Sequence, residues 1–254
     1  LLRQKAIVEG GLALLFRCAC LAALADASGD EAVRGRSARL LDLLTPIAKS
    51  FPSERGFEAN ALAVQVHGGY GYSSEYLVES WLRDQKLNTL HEGTTGIQGL
   101  DLLGRKVVAG GGQSLLELQG EIARTVDAAR AAGVDEEQCG RLQGAVAAVV
   151  TVTAHLGGLG LEGKVDEMLR HSTDYLDMVS VVVIGWQWLA QAEAATRLLR
   201  EPPDGATPEL AAFCEGKLCA AQYWAATELP RVGTLAALCR GNDDSYARMK
   251  SEWF

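Results

Sequence analysis

The sequence predicts an all-α protein made of two successive helical blocks, on three observations. Apolar residues recur at three- and four-residue intervals through most of the 254 residues, whereas alternating strand patterns are scarce. Hydrophobic residues make up 48% and charged residues 22%, enough apolar side chain to bury a sizeable core. One glycine-rich linker, Val108 to Ser114, coincides with a shift in charge: residues 1–110 carry 12 basic and 12 acidic side chains, and residues 111–254 carry 12 and 20. The blocks are accordingly 1–109 and 113–254.

In chain order, a first helix from Leu2 to Ala25 presents Ile7, Leu14, Leu15, Cys18 and Leu21, and stops at Ser28-Gly29-Asp30. A second, from about Glu31 to Ser50, carries Leu40, Leu41, Leu44 and Ile47. Phe51-Pro52-Ser53 is expected to break it, with Ser53 as the N-cap of a third helix through Val66. Three glycines in Gly68-Gly69-Tyr70-Gly71 make a turn there, because each costs a helix about 1 kcal/mol relative to alanine. Ser73 and Ser74 restart a helix with Leu77, Trp81 and Leu82 along one side. A helix from about Ile97 to Val108 closes the first block. The second block reads as helices near 115–132, 136–159, 164–199 (broken near His171 to Asp174), 208–228 and 232–240. Met178 to Ala190 is its most apolar run and reads as a central buried helix, with Trp186, Trp188, Tyr223, Trp224, His155 and His171 as core residues.

The net charge of −8 argues against a partner that is nucleic acid or an anionic membrane. Met178 to Ala190 is also shorter than the roughly 20 residues needed to cross a bilayer. The six cysteines, Cys18, Cys20, Cys139, Cys214, Cys219 and Cys239, lack the dense spacing of a disulfide scaffold and read as reduced core thiols. Scattered histidines and the absence of a CxxC pair leave no expectation of a metal site. No signal-peptide pattern opens the chain, so a cytoplasmic location is the default expectation. The start at Leu1-Leu2-Arg3, running straight into a helical pattern, is expected of a piece from a longer polypeptide.

Two short segments hold the chemistry. Gln65-Val66-His67-Gly68-Gly69-Tyr70-Gly71-Tyr72 offers an amide at a helix end and a glycine turn whose backbone a ligand can approach closely. His91-Glu92-Gly93-Thr94-Thr95-Gly96-Ile97-Gln98 sets a carboxylate ahead of a glycine, two hydroxyls and a helix start. Free N–H groups there suit an anion, and a glutamate shielded from water becomes a stronger base. On the residues alone, each segment also reads as an ordinary connection: a helix-to-helix turn and a capping loop with a solvated glutamate.

Taken together, the glutamine-x-x-glycine-glycine-x-glycine turn at Gln65, the Arg83-Asp84 pair and Glu92-Gly93-Thr94, in this order, resemble the acyl-CoA dehydrogenases. The resemblance covers residues 1–108 and implies the four-helix-bundle-like C-terminal domain of those enzymes. The opening Gln4-Lys5-Ala6-Ile7-Val8-Glu9-Gly10-Gly11 and the acidic helical block that follows resemble the long members, of the 3-methylmercaptopropionyl-CoA dehydrogenase type. It implies an FAD-dependent α,β-dehydrogenation of an acyl-CoA thioester, with Glu92 taking the α-proton while the β-hydride passes to flavin N5, and Gly93 positioning the substrate. Thr94, Thr95 and Gly96 would lie along the FAD, and Gln65, Val66, His67, Gly68 and Gly69 would approach the FAD of a neighbouring subunit. A homo-oligomer and an acceptor such as an electron-transfer flavoprotein are thereby implied. Many relatives have tyrosine where this chain has His91, which reads as a packing residue. Glu9 is a rival carboxylate, since some relatives take the base from the first helix. The N-terminal and middle β-domains of the family have no counterpart in the sequence, so the isolated chain is expected to fold but to be nearly inactive. The alternative is a non-catalytic helical interaction module that keeps the fold.

Overall fold

A computed structural model describes residues 1–254, and the chain is helical from end to end with no strand. Its helices are α1 (Leu2–Ala27), α2 (Glu31–His67), α3 (Val78–Leu87), α4 (Thr95–Asp101), α5 (Gln113–Ala132) and α6 (Glu136–Leu161). They continue as α7 (Val165–Leu169), α8 (Ser172–Arg200), α9 (Pro208–Tyr223), α10 (Arg231–Gly241) and α11 (Ser245–Arg248). A π-turn, Leu102–Lys106, extends α4, and another, Trp224–Glu228, extends α9. The all-α expectation therefore holds, and so does the break before Ser172.

The expected break at Pro52 does not occur: α2 runs unbroken from Glu31 to His67 through both Pro46 and Pro52. Asp30, not Ser53, is the N-cap, its carboxylate accepting from the Ala32 and Val33 amides at 2.8 and 3.4 Å. A proline removes one ladder bond and crowds the preceding turn. Here tertiary contacts hold the turn in place. Phe51 is buried with its ring edge against Trp224, centroids 5.9 Å apart. Ser53 Oγ donates to the Lys49 carbonyl at 2.5 Å, and Gln85 Nε2 of α3 donates to the carbonyls of Pro52 and Ser53 at 3.0 and 3.2 Å.

Helix α8 is the axis of the molecule. Seventeen of its residues are buried, an unbroken run from Met178 to Leu189 among them, as expected of the most apolar stretch of the chain. It packs against α1, α2, α4, α5, α6, α9 and α10. One core of 47 buried residues consequently extends from Ala6 to Cys239, across the Gly110 to Gly112 turn, where all three glycines adopt positive φ. Trp186, Trp188 and Trp224 are fully buried, and each indole donates a hydrogen bond: to Thr125 Oγ1 at 2.8 Å, to the Ala6 carbonyl at 3.0 Å and to the Val181 carbonyl at 3.1 Å. By length and composition alone, α1 and α6 are apolar enough to cross a bilayer; each sends one side into this core.

Several burial expectations are corrected. Leu15 of α1 is exposed, and so are Leu77 and Trp81, because α3 packs on α2 through Val78 and Gln85 and turns its larger apolar side outward. That helix begins at Val78, four residues beyond Ser74. His155 faces outward from α6, and His171 is half-buried, its Nδ1 2.9 Å from Asp174 Oδ2. All six cysteines are free thiols, but Cys20 and Cys219 are exposed rather than core. Burial pushes the Cys18 thiol up to about 11 and the Cys239 thiol up to about 12, which removes both from nucleophilic chemistry at neutral pH.

Candidate active site

The Glu92 loop is clamped from both sides onto the middle of α2. On the upstream side, Lys49 Nζ donates to the Asn88 carbonyl at 2.7 Å, and Thr89 is buried with its hydroxyl on the Lys86 carbonyl at 2.9 Å. On the downstream side, Thr95 Oγ1 donates to the Glu54 carboxylate. Between these anchors the backbone turns sharply: Glu92 has φ +54° and Gly93 φ +91°, both left-handed. A non-glycine residue seldom adopts that conformation, and strain of about 1–3 kcal/mol persists only where the surroundings enforce it.

Glu92 itself is exposed and makes no hydrogen bond or ion pair within the chain. A partner that excludes water from it must come from outside these residues. His91 does not pack, as the sequence suggested; it is exposed, with Nδ1 2.8 Å from the Leu87 carbonyl at the end of α3. Thr94 is the N-cap position of α4 and its hydroxyl makes no capping bond, which leaves it available to a ligand.

Glu9, the rival carboxylate, belongs to a different environment. It binds Lys5 at 2.5 Å and Lys217 at 2.8 Å, between α1 and α9. Burial pushes its carboxyl up, but the hydrogen bonds from Lys217 and Lys5 outweigh that and hold it below the ordinary value of 4.5. A carboxylate held this way is a poor proton acceptor. A depressed folded-state value contributes stability above the unfolded pKa, lost as pH falls through the folded one. Urea titrations below pH 4.5 are therefore expected to show a shallower acid loss of stability in Glu9→Gln than in the native chain; equal slopes would remove the role assigned to this pair.

The second candidate segment lies apart from the first. Gln65, Val66 and His67 end α2, and Gly68 (φ +62°) turns the chain into a short 3-10 segment. His67 Nδ1 is 2.8 Å from the Ala63 carbonyl. All five residues from Gln65 to Gly69 are exposed, and nothing lies within 4 Å of where a Cβ would stand on Gly68 or Gly69. Glu54, which anchors the Glu92 loop, is 11 to 13 residues upstream of Gln65 to His67 on the same helix, so at 1.5 Å per residue that anchor stands roughly 16–20 Å from the end of α2. Arg83 and Asp84 are exposed on α3 and join neither.

Sequence reading missed Glu54, Lys49 and the brace supplied by α8. A Cβ on Gly99 of α4 would fall 2.7 Å from the Ser172 carbonyl oxygen, so the helix after the loop rests directly on the start of α8. Because the obstacle is backbone, Gly99→Ala is expected to cost about 1–3 kcal/mol in denaturant titration; an unchanged midpoint would show that the two helices are not in contact. The signal for Glu54 was its place one turn below Ser50 and above Glu58, legible only if α2 is read as continuous through Pro52.

The loop thus carries an exposed carboxylate between two anchors on α2, followed by the uncapped hydroxyl of Thr94. Residues 12–107 match the family model described as acyl-CoA dehydrogenase, C-terminal domain, and residues 118–250 match the one described as acetyl-CoA dehydrogenase C-terminal like. The chain belongs to the acyl-CoA dehydrogenase family. It is 32% identical over 239 residues to the broad-specificity linear acyl-CoA dehydrogenase FadE5 of Mycobacterium tuberculosis, covering 91% of this chain and 38% of that protein. It is 33% identical over 227 residues to the 3-methylmercaptopropionyl-CoA dehydrogenase of Ruegeria pomeroyi, covering 89% of this chain and 37% of that protein. The fold is similar to that of an acyl-CoA dehydrogenase from Bacillus anthracis complexed with FAD, with a TM-score of 0.53 at 19% identity over 95% of this chain and 44% of that one. The chain thus spans less than half the length of the proteins it matches.

Proposed function

We propose that the chain is the C-terminal helical portion of an FAD-dependent acyl-CoA dehydrogenase, and that Glu92 is the base that removes the α-proton of the acyl-CoA thioester. The observation that carries this reading is the backbone of Glu92: a left-handed glutamate, clamped through Thr95 to Glu54 and through Asn88 to Lys49, with its carboxylate left free. A thioester α-proton is weakly acidic, so the base has to be fixed in position and shielded from water when the substrate arrives. The backbone that carries Glu92 is fixed already. Its shielding comes from the acyl chain and from the surface that covers the loop, which together raise its basicity.

Open hydroxyl and glycine positions fit a bound flavin. Thr94 is uncapped, a Cβ on Gly96 would meet only the Thr94 hydroxyl at 4.0 Å, and Gly68 and Gly69 can be approached without obstruction. Thr94, Thr95 and Gly96 would hold the FAD whose substrate Glu92 serves, with Gly93 positioning the thioester. Gln65, Val66, His67, Gly68 and Gly69 would contact a second FAD in a homo-oligomer, and the separation of the two segments along α2 supports giving them different partners. When bound, FAD supplies the hydride acceptor that protein side chains lack. Electrons would leave through an acceptor such as an electron-transfer flavoprotein.

The test is an absorbance spectrum of the flavin-loaded enzyme that carries this chain, recorded as butyryl-CoA is added without oxygen. The native protein is expected to bleach, and Glu92→Gln to bind the ligand and stay yellow. Bleaching of the variant at the native rate would move the base elsewhere; failure of the native protein to hold flavin would leave a helical interaction module.

A further inference from the structure

A second cavity opens between α1, α8 and α9, sharing no residue with the Glu92 loop. Its volume is about 460 Å³, within the roughly 300–1,000 Å³ typical of small-molecule sites. One wall is apolar, formed by Leu12, Ala13 and Phe16, and both Leu12 (50%) and Phe16 (66%) are exposed. The other wall is a set of donors. Gln187 is only 3% exposed, yet its Nε2 has no hydrogen-bond partner. A buried donor left unpaired is costly, and a native structure normally satisfies it.

Two cations share this cavity. Arg17 has no carboxylate partner and lies over the Trp186 ring, 5.0 Å from its centroid. Lys217 Nζ spans Glu9 and Gln191, at 2.8 Å each, beneath the faces of Trp188 and Phe213. Glu9, the one acid on the cavity wall, is already engaged by Lys5 and Lys217. It stands eight residues from Arg17, roughly 12 Å along α1. An acceptor group entering between Arg17 and Gln187 therefore meets donors and no free carboxylate.

We propose that this cavity binds an aliphatic monocarboxylate, a fatty acid of medium chain length, with its carboxylate on Arg17 and Gln187 and its tail along Leu12 and Phe16. A guanidinium suits a carboxylate in geometry and charge. The carboxamide of Gln187 gains the acceptor it lacks, and the apolar wall loses its contact with water. The site is independent of the proposed dehydrogenation, since it uses none of that reaction's residues.

Titration calorimetry with decanoate tests it on the protein as it stands. Decanoate is expected to bind one to one, with decanol and acetate each at least tenfold weaker, because each lacks one half of the ligand. Arg17→Gln is expected to weaken decanoate at least tenfold, with a small drop in the Tm of the ligand-free protein because the contact with the Trp186 ring is also lost. Gln187→Leu is expected to weaken it similarly while raising the Tm of the ligand-free protein, since it removes the orphaned donor. Decanol binding as tightly as decanoate, unchanged affinity in both variants, or displacement of decanoate by decanoyl-CoA in a one-for-one competition would overturn the proposal. So would an absence of heat with decanoate.

Discussion

Glu92→Gln, made in the enzyme that carries this chain, is expected to lower turnover of butyryl-CoA by about 10²–10⁴-fold, the range that a positioned general base supplies. Glutamine keeps the size of the side chain and cannot accept the proton. The left-handed backbone at Glu92 is set by the anchors at Lys49 and Glu54, so the substitution should leave the loop in place. Substrate affinity is therefore expected to be preserved, and the loss should fall on kcat. Stopped-flow reduction of the flavin measures it directly. A matching rise in KM with kcat unchanged would mean that Glu92 binds substrate and does not move the proton.

The second large effect is structural. Trp188→Ala is expected to destabilise the chain by about 3–5 kcal/mol, lowering Tm by roughly 6–20 °C at about 2–4 °C per kcal/mol for a protein of this size. Trp188 is 1% exposed and ties α8 to α1 through the Ala6 carbonyl, packing over Gly10, where a Cβ would fall 2.6 Å from Nε1. It therefore joins the two sequence blocks. Trp81→Ala, on a 53% exposed residue of α3, is expected to change stability by less than about 0.5 kcal/mol. Calorimetry checks both. One transition that shifts as a whole in Trp188→Ala supports the shared core; a split into two transitions, with the first block unaffected, would show that the blocks fold independently.

Much of the fold was readable because helix periodicity is a local property. The ends of α1, α5, α6 and α8 fall within a few residues of the positions read from apolar spacing, and the buried run from Met178 to Leu189 follows from composition alone. The two candidate segments were legible for the same reason, since glycines, hydroxyls and a carboxylate in fixed order mark a turn whatever surrounds it. Where reading failed, a distant contact had overridden a local preference. Pro52 is a helix breaker by itself, and α2 passes through it because Phe51 is held by Trp224 and Gln85 reaches across from α3. Trp81 and Leu77 look like core residues in isolation, and the packing of α3 on α2 turns them outward.

The amino-acid sequence by itself determined that the chain is helical, that its family is that of the acyl-CoA dehydrogenases, and that Glu92 stands in the loop where their chemistry is expected. Only the tertiary structure decided that the loop is clamped by Glu54 and Lys49, that α4 rests on α8, and that the glycine run at Gly110 to Gly112 is a turn within a continuous core. The physical reason is range. Periodicity, capping and turn chemistry act over a few residues, whereas these contacts join residues from 39 to more than 100 positions apart, brought together by burial of apolar surface that no short stretch of sequence encodes.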